Sequence, residues 1–247
     1  MINKATVKYI QSLQHKKFRD EHNAFIIEGP KQISELLADG NFECEEIFCT
    51  EKGMELLKGK PAEKLLGNIN IIAGFEMEKI SALTTPNNIL AVCKKKRVND
   101  QPDIQQKLSL VLDDIQDPGN LGTIIRIADW FAVKNIFCSP GTVDCYNPKV
   151  VQSTMASLGR INMLYGDLKK VLNGYPGIKK YAAVLEAVDV RSLGKIKEGM
   201  IIIGNESKGI SKELLKITDQ KMSIEKTGAA ESLNAAVATG IILFAVT

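Results

Sequence analysis

Three short stretches carry polar side chains of the kind that hold a small ligand, each where an apolar run gives way to a helix-like pattern. They are Asp117-Pro118-Gly119-Asn120-Leu121-Gly122 with Arg126 downstream, Gly204-Asn205-Glu206-Ser207-Lys208-Gly209, and Glu231-Ser232-Leu233-Asn234. In the first, Asn120 is placed to cap the following helix, its amide turned to the backbone or toward a ligand. Arg126 falls off the apolar stripe of Ile124, Ile127, Ala128 and Phe131. An arginine there binds phosphate or polarises a hydroxyl if it projects into a cleft, and otherwise is an ordinary exposed helical residue. In the second, Gly204 and Gly209 mark positions where backbone comes close to a ligand or takes positive φ. The order fits neither a P-loop nor a dinucleotide G-x-G-x-x-G, and a plain strand-to-helix turn is the competing reading. In the third, Ser232 is the expected N-cap and Asn234 lies in the first turn, ahead of Ala235, Ala236, Ala238 and Gly240, which are small enough for close backbone packing. No histidine follows His22, so this part of the chain has no imidazole to act as a general base.

The elements that must carry these motifs alternate between strand and helix. A polar segment, Val98-Asn99-Asp100-Gln101-Pro102-Asp103, divides the chain, and residues 98–107 read as a linker between a domain at 1–97 and one at 108–247. Before it, short apolar runs at Ala24 to Ile27, Glu46 to Cys49, Ile69 to Ala73 and Ile89 to Cys93 alternate with helix-like stretches at Pro30 to Ala38, Lys52 to Lys58 and Glu76 to Leu83. After it, Leu108 to Leu112, Asn135 to Cys138, Tyr181 to Leu185, Met200 to Ile203 and Met222 to Ile224 are almost continuously apolar, the pattern of a parallel sheet covered on both faces. Leu121 to Phe131 and Pro148 to Leu158 are the helices expected between them. The fold class is α/β, with all three motifs at the carboxyl ends of strands, where such sheets place their ligands. The final apolar run, Ala235 to Val246, is too short for the roughly 20 residues of a membrane span and reads as a buried helix.

Composition narrows the partners. With 247 residues, 45% of them apolar, the chain can bury one large core or two modest ones. The net charge of +3 is unevenly spread: residues 1–19 hold Lys4, Lys8, Lys16, Lys17 and Arg19 and no acid, and Lys94-Lys95-Lys96-Arg97 forms a second basic run. Such clusters suit a phosphate backbone, although charged surface solvated by water is an equal alternative. Five cysteines with no C-x-x-C pair, and no basic-then-apolar leader, lead us to expect reduced thiols and a cytoplasmic protein without a zinc or other metal site.

In this order and spacing the three motifs resemble the SpoU (TrmH) class of RNA 2′-O-ribose methyltransferases over about residues 108–247. Lys16-Lys17-Phe18-Arg19 followed by Phe25-Ile26-Ile27-Glu28-Gly29 is similar to the start of the L30e-like substrate-binding domain of that class. The resemblance implies a deep trefoil knot in the C-terminal domain, S-adenosylmethionine as cofactor, and a homodimer that completes each site. It implies that Gly204, Ile224 and Leu233 hold the cofactor through backbone. Asn120, Arg126, Glu206, Ser232 and Asn234 match polar active-site positions, with Arg126 handling the ribose 2′-hydroxyl, and Lys16, Lys17 and Arg19 grip RNA. Two departures stand out: Glu225 and Lys226 follow Ile224 where the family usually has proline and an apolar residue, and Gln152 and Ala156 replace a common arginine and a common glycine. The expected activity is 2′-O-methylation of structured RNA, ribosomal in preference to transfer RNA. A transfer-RNA enzyme, a non-catalytic knotted assembly factor, and a nucleotide-binding domain acting on small molecules are the alternatives; the last leaves the basic clusters unexplained.

Overall fold

The protein was analysed as a computed structural model, which describes residues 1–38, 40–57, 69–99 and 101–247. Lys58, at the end of one expected helix, and Asp100, in the expected linker, lie outside the described residues. The chain forms two compact units, Met1–Arg97 with Asp144–Arg160, and Val98–Val143 with Ile161–Thr247.

The first unit opens with two helices, α1 (Lys4–Ser12) and α2 (Lys16–His22), in a segment whose sequence stands out only for its charge. Asn3 caps α1 by accepting from Thr6 N at 2.8 Å, and α2 stops at Asn23, whose φ of 50° is left-handed. Then follow β1 (Ala24–Glu28), α3 (Pro30–Ala38), β2 (Cys44–Cys49), α4 (Glu51–Leu57), β3 (Ile69–Ile71), α5 (Gly74–Ile80) and β4 (Ile89–Lys94). The sheet order is β1-β4-β2-β3, with β4 antiparallel to both neighbours and β3 parallel to β2. Ile26, Phe48, Leu90 and Val92 meet Ile10, Leu13, Met77 and Ile80 in one core. Glu28 is buried and closes the loop after α5 by accepting from Ser81 Oγ at 2.6 Å and Ala82 N at 2.7 Å; burial pushes its carboxyl above the usual range.

The sequence division assigned residues 144–160 to the C-terminal domain, whereas they pack into this first unit. Arg19 pairs with Asp144 there, and the Phe25 and Tyr146 rings lie 4.7 Å apart. The helix expected at 148–158 is shorter: Pro148–Thr154 is helical, Met155 and Ala156 take left-handed φ of 48° and 73°, and a 3-10 turn follows at Ser157–Gly159.

In the second unit, β5 (Leu108–Asp113), α6 (Pro118–Trp130), β6 (Asn135–Cys138), β7 (Asn162–Tyr165), α8 (Leu168–Gly174), β8 (Lys180–Asp189), β9 (Gly199–Gly204), α9 (Lys212–Lys216), β10 (Gln220–Ser223) and α10 (Ala235–Val246) follow one another, α7 being the Pro148–Thr154 helix of the first unit. Six parallel strands run in the order β10-β8-β9-β5-β6-β7. The buried strands β5, β6 and β9 are the continuous apolar runs of the sequence, while β7 is a four-residue edge strand with half-exposed residues and so has no such signature. One face packs Val111, Phe137, Ala182, Met200 and Ile202 against Leu168, Leu172 and Leu214. On α10 and α6, which pack together, Leu121, Ile124, Ala128, Ile242 and Leu243 are buried. Among the described residues no helix is long and apolar enough to cross a membrane.

The chain adds β6 and β7 to one side of β5 and returns to build β8, β9 and β10 on the other. The sheet therefore reverses direction beside β5, and the carboxyl ends of β5 and β9, where Asp113 and Gly204 are register partners, lie at that reversal.

Candidate active site

At the end of β5 the chain turns sharply through Asp114, at φ 62°, and enters α6. Asp117, not Asn120, is the N-cap: its Oδ1 accepts from Asn120 N at 2.8 Å, and Pro118 occupies the first turn, where its missing N–H costs nothing. Asn120 therefore lies inside the first turn, and its amide is released for other partners. Its Nδ2 donates to Glu206 Oε1 at 2.6 Å and its Oδ1 accepts from Asn234 Nδ2 at 2.7 Å. Asn234 in turn caps α10, its Oδ1 accepting from Ala236 N at 2.9 Å and Val237 N at 3.2 Å.

The sequence expectation of Ser232 as the α10 cap is thus corrected to Asn234. The helix begins at Ala235, and only the side chain directly before it reaches the free N–H groups of the first turn. This cap also fixes the polarity of the whole chain of bonds. Because Asn234 Oδ1 is committed to backbone donors, its Nδ2 must donate, Asn120 must accept through Oδ1 and donate through Nδ2, and the last member must be an acceptor, which a carboxylate is. Three loops from three strands are joined by one directional run, Asn234 to Asn120 to Glu206.

Glu206 is held in place by the turn that carries it. Asn205 and Gly209 exchange backbone bonds of 3.1 and 2.9 Å, and Gly209 takes φ of 67°. Asn205 Oδ1 accepts from Ser207 N at 2.9 Å and Lys208 N at 3.0 Å, while its Nδ2 donates to Asp114 O at 2.7 Å. Gly204 is required by this fold-back, not by a ligand alone: a Cβ there would lie 2.3 Å from the Gly209 carbonyl carbon and 2.4 Å from Ile210 N. Asn205 was not among the residues singled out from sequence. An asparagine opening a glycine-closed turn was the available signal.

The remaining candidates do not join the cluster. Arg126 is exposed on α6, and among the described residues nothing bonds its guanidinium. Ser232 and Leu233 are exposed before α10, and Ile224 is half-buried just beyond β10. Residues 225–233 between them are all exposed and belong to no helix or strand, so their backbone N–H and C=O groups lie outside the sheet and helix ladders. Among the described residues no group of three His, Cys, Asp or Glu could hold a metal ion.

In the first unit, the three expected RNA contacts separate. Lys16 and Lys17 are exposed on α2, Lys16 paired with Asp20 at 2.6 Å and Lys17 lying over the Phe18 ring. Arg19 is 2% exposed and spent internally, which removes it from the RNA contacts: Nε and Nη2 donate to Asp144 Oδ2 at 2.9 and 2.7 Å, and Nη1 to the carbonyls of Leu13 and Gln14 at 2.9 and 2.8 Å. The second basic run is likewise engaged, Lys94 with Glu45 at 2.6 Å, Lys95 with Asp20 at 2.5 Å and Lys96 with Gly159 O at 3.1 Å.

A parallel sheet whose reversal point carries a directional amide–carboxylate cluster beside an exposed backbone segment is the α/β arrangement in which loops at the carboxyl ends of the strands form a ligand site. Residues 107–244 match the family described as SpoU rRNA Methylase, and residues 4–91 match the MRM3-like substrate binding domain. The chain belongs to the SpoU rRNA methylase family and is an S-adenosylmethionine-dependent RNA methyltransferase.

It is 28% identical over 242 residues to the 23S rRNA (guanosine(2553)-2′-O)-methyltransferase RlmP of Bacillus subtilis, spanning 96% of this chain and 94% of that one. Among solved structures it resembles a putative RNA methyltransferase of the TrmH family from Porphyromonas gingivalis, with a TM-score of 0.86 and 29% identity over 99% of this chain and 98% of the other. An AdoMet-bound rRNA methyltransferase from Sinorhizobium meliloti matches with a TM-score of 0.86 and 27% identity over 99% and 95%.

The residues present fit such a cofactor by their chemistry. Ile224 and Leu233 offer apolar surface, the segment between them offers backbone donors and acceptors, and Glu206, tied to the far end of that segment through Asn120 and Asn234, offers an anionic acceptor.

Proposed function

We propose that this enzyme methylates the 2′-hydroxyl of a ribose in structured ribosomal RNA and works as a homodimer whose subunits complete each other's sites. The observation that carries the assignment is the run of hydrogen bonds from Asn234 through Asn120 to Glu206, because it gathers polar side chains from three loops, two of them 114 residues apart, at the carboxyl ends of the strands. Ribosomal RNA is favoured over transfer RNA by the likeness to the Bacillus subtilis enzyme, which runs along nearly the whole chain.

In this reading the backbone at Gly204, Ile224 and Leu233 holds the cofactor, and Glu206, Asn120, Ser232 and Asn234 position the reacting groups. The cofactor supplies a methyl group already activated by its sulfonium, so in-line placement of the ribose oxygen provides much of the acceleration. Arg126 orients that hydroxyl and a neighbouring phosphate. A guanidinium stays protonated in a protein, so Arg126 would orient the hydroxyl without removing its proton, which a substrate phosphate or water would take. Lys16 and Lys17 contact the RNA backbone.

A second subunit is supported by the apolar side chains left exposed on α6 and α10. Trp130 is 85% and Phe244 78% exposed, with Val237 and Ile241 beside Phe244 at helical spacing. The absence of any bond to Arg126 among the described residues of its own chain suits a role completed in the dimer, and the deep trefoil knot belongs to the same reading.

The test is transfer of tritiated methyl from S-adenosylmethionine to RNA from a strain lacking this gene, with nuclease digestion to identify the labelled nucleoside. A labelled 2′-O-methylnucleoside in ribosomal RNA is expected; label confined to transfer RNA would overturn the substrate. Arg126→Ala is expected to lower turnover by about 100-fold or more with cofactor affinity near wild type. Equal turnover would remove Arg126 from the chemistry.

A further inference from the structure

The exposed segment 225–233 is fastened at its far end by Asn234, and its near end leaves a short edge strand. β10 lies at the edge of the sheet, four residues long, with β8 as its one neighbour in the strand order. Even that ladder is interrupted. Lys221 pairs with Ala182 but Met222 pairs with Val188, so five residues of β8, 183–187, pass without a partner in β10. Ser223 Oγ adds one bond to Ala187 O at 2.9 Å. Ser223 and Asp189 are the last register partners, and two residues beyond each of them stand Glu225 and Arg191.

These two side chains meet. Asp189 caps the 3-10 turn Val190–Leu193 by accepting from Arg191 N at 2.8 Å, and the Arg191 guanidinium folds back onto the same carboxylate, Nε reaching Oδ1 at 3.1 Å and Oδ2 at 2.9 Å. Arg191 Nη2 then bonds Glu225 Oε2. These bonds hold the Asp189 carboxyl below the usual carboxylate range. An isolated exposed ion pair holds little, because ordering two long side chains offsets the attraction. Here Arg191 is already ordered by Asp189 and the turn, so Glu225 alone must be fixed when the pair closes.

We infer that Arg191, through Glu225, is a positioning residue for S-adenosylmethionine, pinning the near end of the segment 224–234 as Asn234 pins its far end. The inference rests on the proposal that this segment holds the cofactor. Glu225 thereby does by charge what a stiff residue after Ile224 would do by backbone restraint. Arg191 acts on affinity, since it touches neither the reacting atoms nor the Asn120–Glu206 pair.

The test compares the full-length protein with Glu225→Gln, Arg191→Met and the double variant. Hydrogen exchange of residues 224–234 reads the clasp, and calorimetric titration with S-adenosylmethionine, together with KM and kcat at saturating RNA, reads its consequence. Each single variant is expected to lose protection in this segment and to raise Kd and KM for the cofactor about 3- to 10-fold, with kcat within about twofold and the double variant no worse than either single. Wild-type affinity should weaken as salt rises from about 50 to about 500 mM more steeply than that of Glu225→Gln. Unchanged protection in Glu225→Gln overturns the clasp. Lost protection with unchanged Kd overturns its role in binding, and a wild-type protein that does not bind the cofactor overturns the parent reading of the segment itself.

Discussion

Arg19 and Arg126 are both helical arginines, and the fold treats them differently: one is buried and the other exposed. Arg19 sits in a basic cluster, but its partner Asp144 is 125 residues away, so nothing local could reveal that its charge is consumed. Arg19→Ala is expected to destabilise the protein by about 3–5 kcal/mol, read as a lower urea midpoint, because it leaves a nearly buried carboxylate and two carbonyls without their donor. Arg19→Lys should recover part of the loss, since an ammonium cannot bond Asp144 and both carbonyls in the same planar geometry. The exposure of Arg126 was readable for the converse reason: its place off the apolar stripe of α6 is a local fact. Asn120 was half legible. Its position in the first turn was readable, but that Asp117 takes over the cap and frees the amide depends on where the helix begins, which sequence fixes only to within a residue or two.

The elements most plainly marked in the sequence are those buried on both sides, although the edge strands β3 and β10 also carry short apolar runs. β5, β6 and β9 present apolar residues to both faces and so appear as unbroken runs, and α10 begins and ends where its run does. Those that sequence reading missed owe their form to neighbours. β7 is an edge strand with half its residues only partly covered, and α1 and α2 are short helices with mostly polar outer faces. The break after α7 is a third case, since neither Met155 nor Ala156 carries a local sign of left-handed backbone. Ala156 is fully buried at φ 73°, and this accounts for the glycine common at that position in the family. A side chain in the left-handed region costs about 1–2 kcal/mol, and glycine gives back part of that gain through its freer unfolded chain. Ala156→Gly is therefore expected to stabilise the protein by about 0.5–1 kcal/mol in equilibrium denaturation, whereas a loss of stability would mean that the buried methyl group outweighs the strain.

At the scale of the whole molecule, the two family matches, 4–91 and 107–244, suggest a bead-like order that the contacts do not follow. Residues 144–160 leave the second unit, complete the first, and return. A fragment ending at Arg97 lacks the carboxylate that neutralises Arg19, the Tyr146 ring on Phe25 and the Gln152 carbonyl that accepts from Gln32 at 3.0 Å. Such a fragment is expected to bind a hydrophobic dye and to unfold without a cooperative transition. Near-native stability and sharp amide spectra from residues 1–97 alone would contradict this. Domain boundaries drawn from linker composition follow the chain's covalent order, and an insertion that packs backward is invisible to them.

The same insertion sets a clock on synthesis. A ribosome adding about 5–20 residues per second delivers Asp144 about 6–25 seconds after Arg19, given their separation of 125 residues. For that interval the emerging first unit holds a cation without its carboxylate at a site destined to be dry, so it reaches its final form only after residues 98–143 of the second unit have been made.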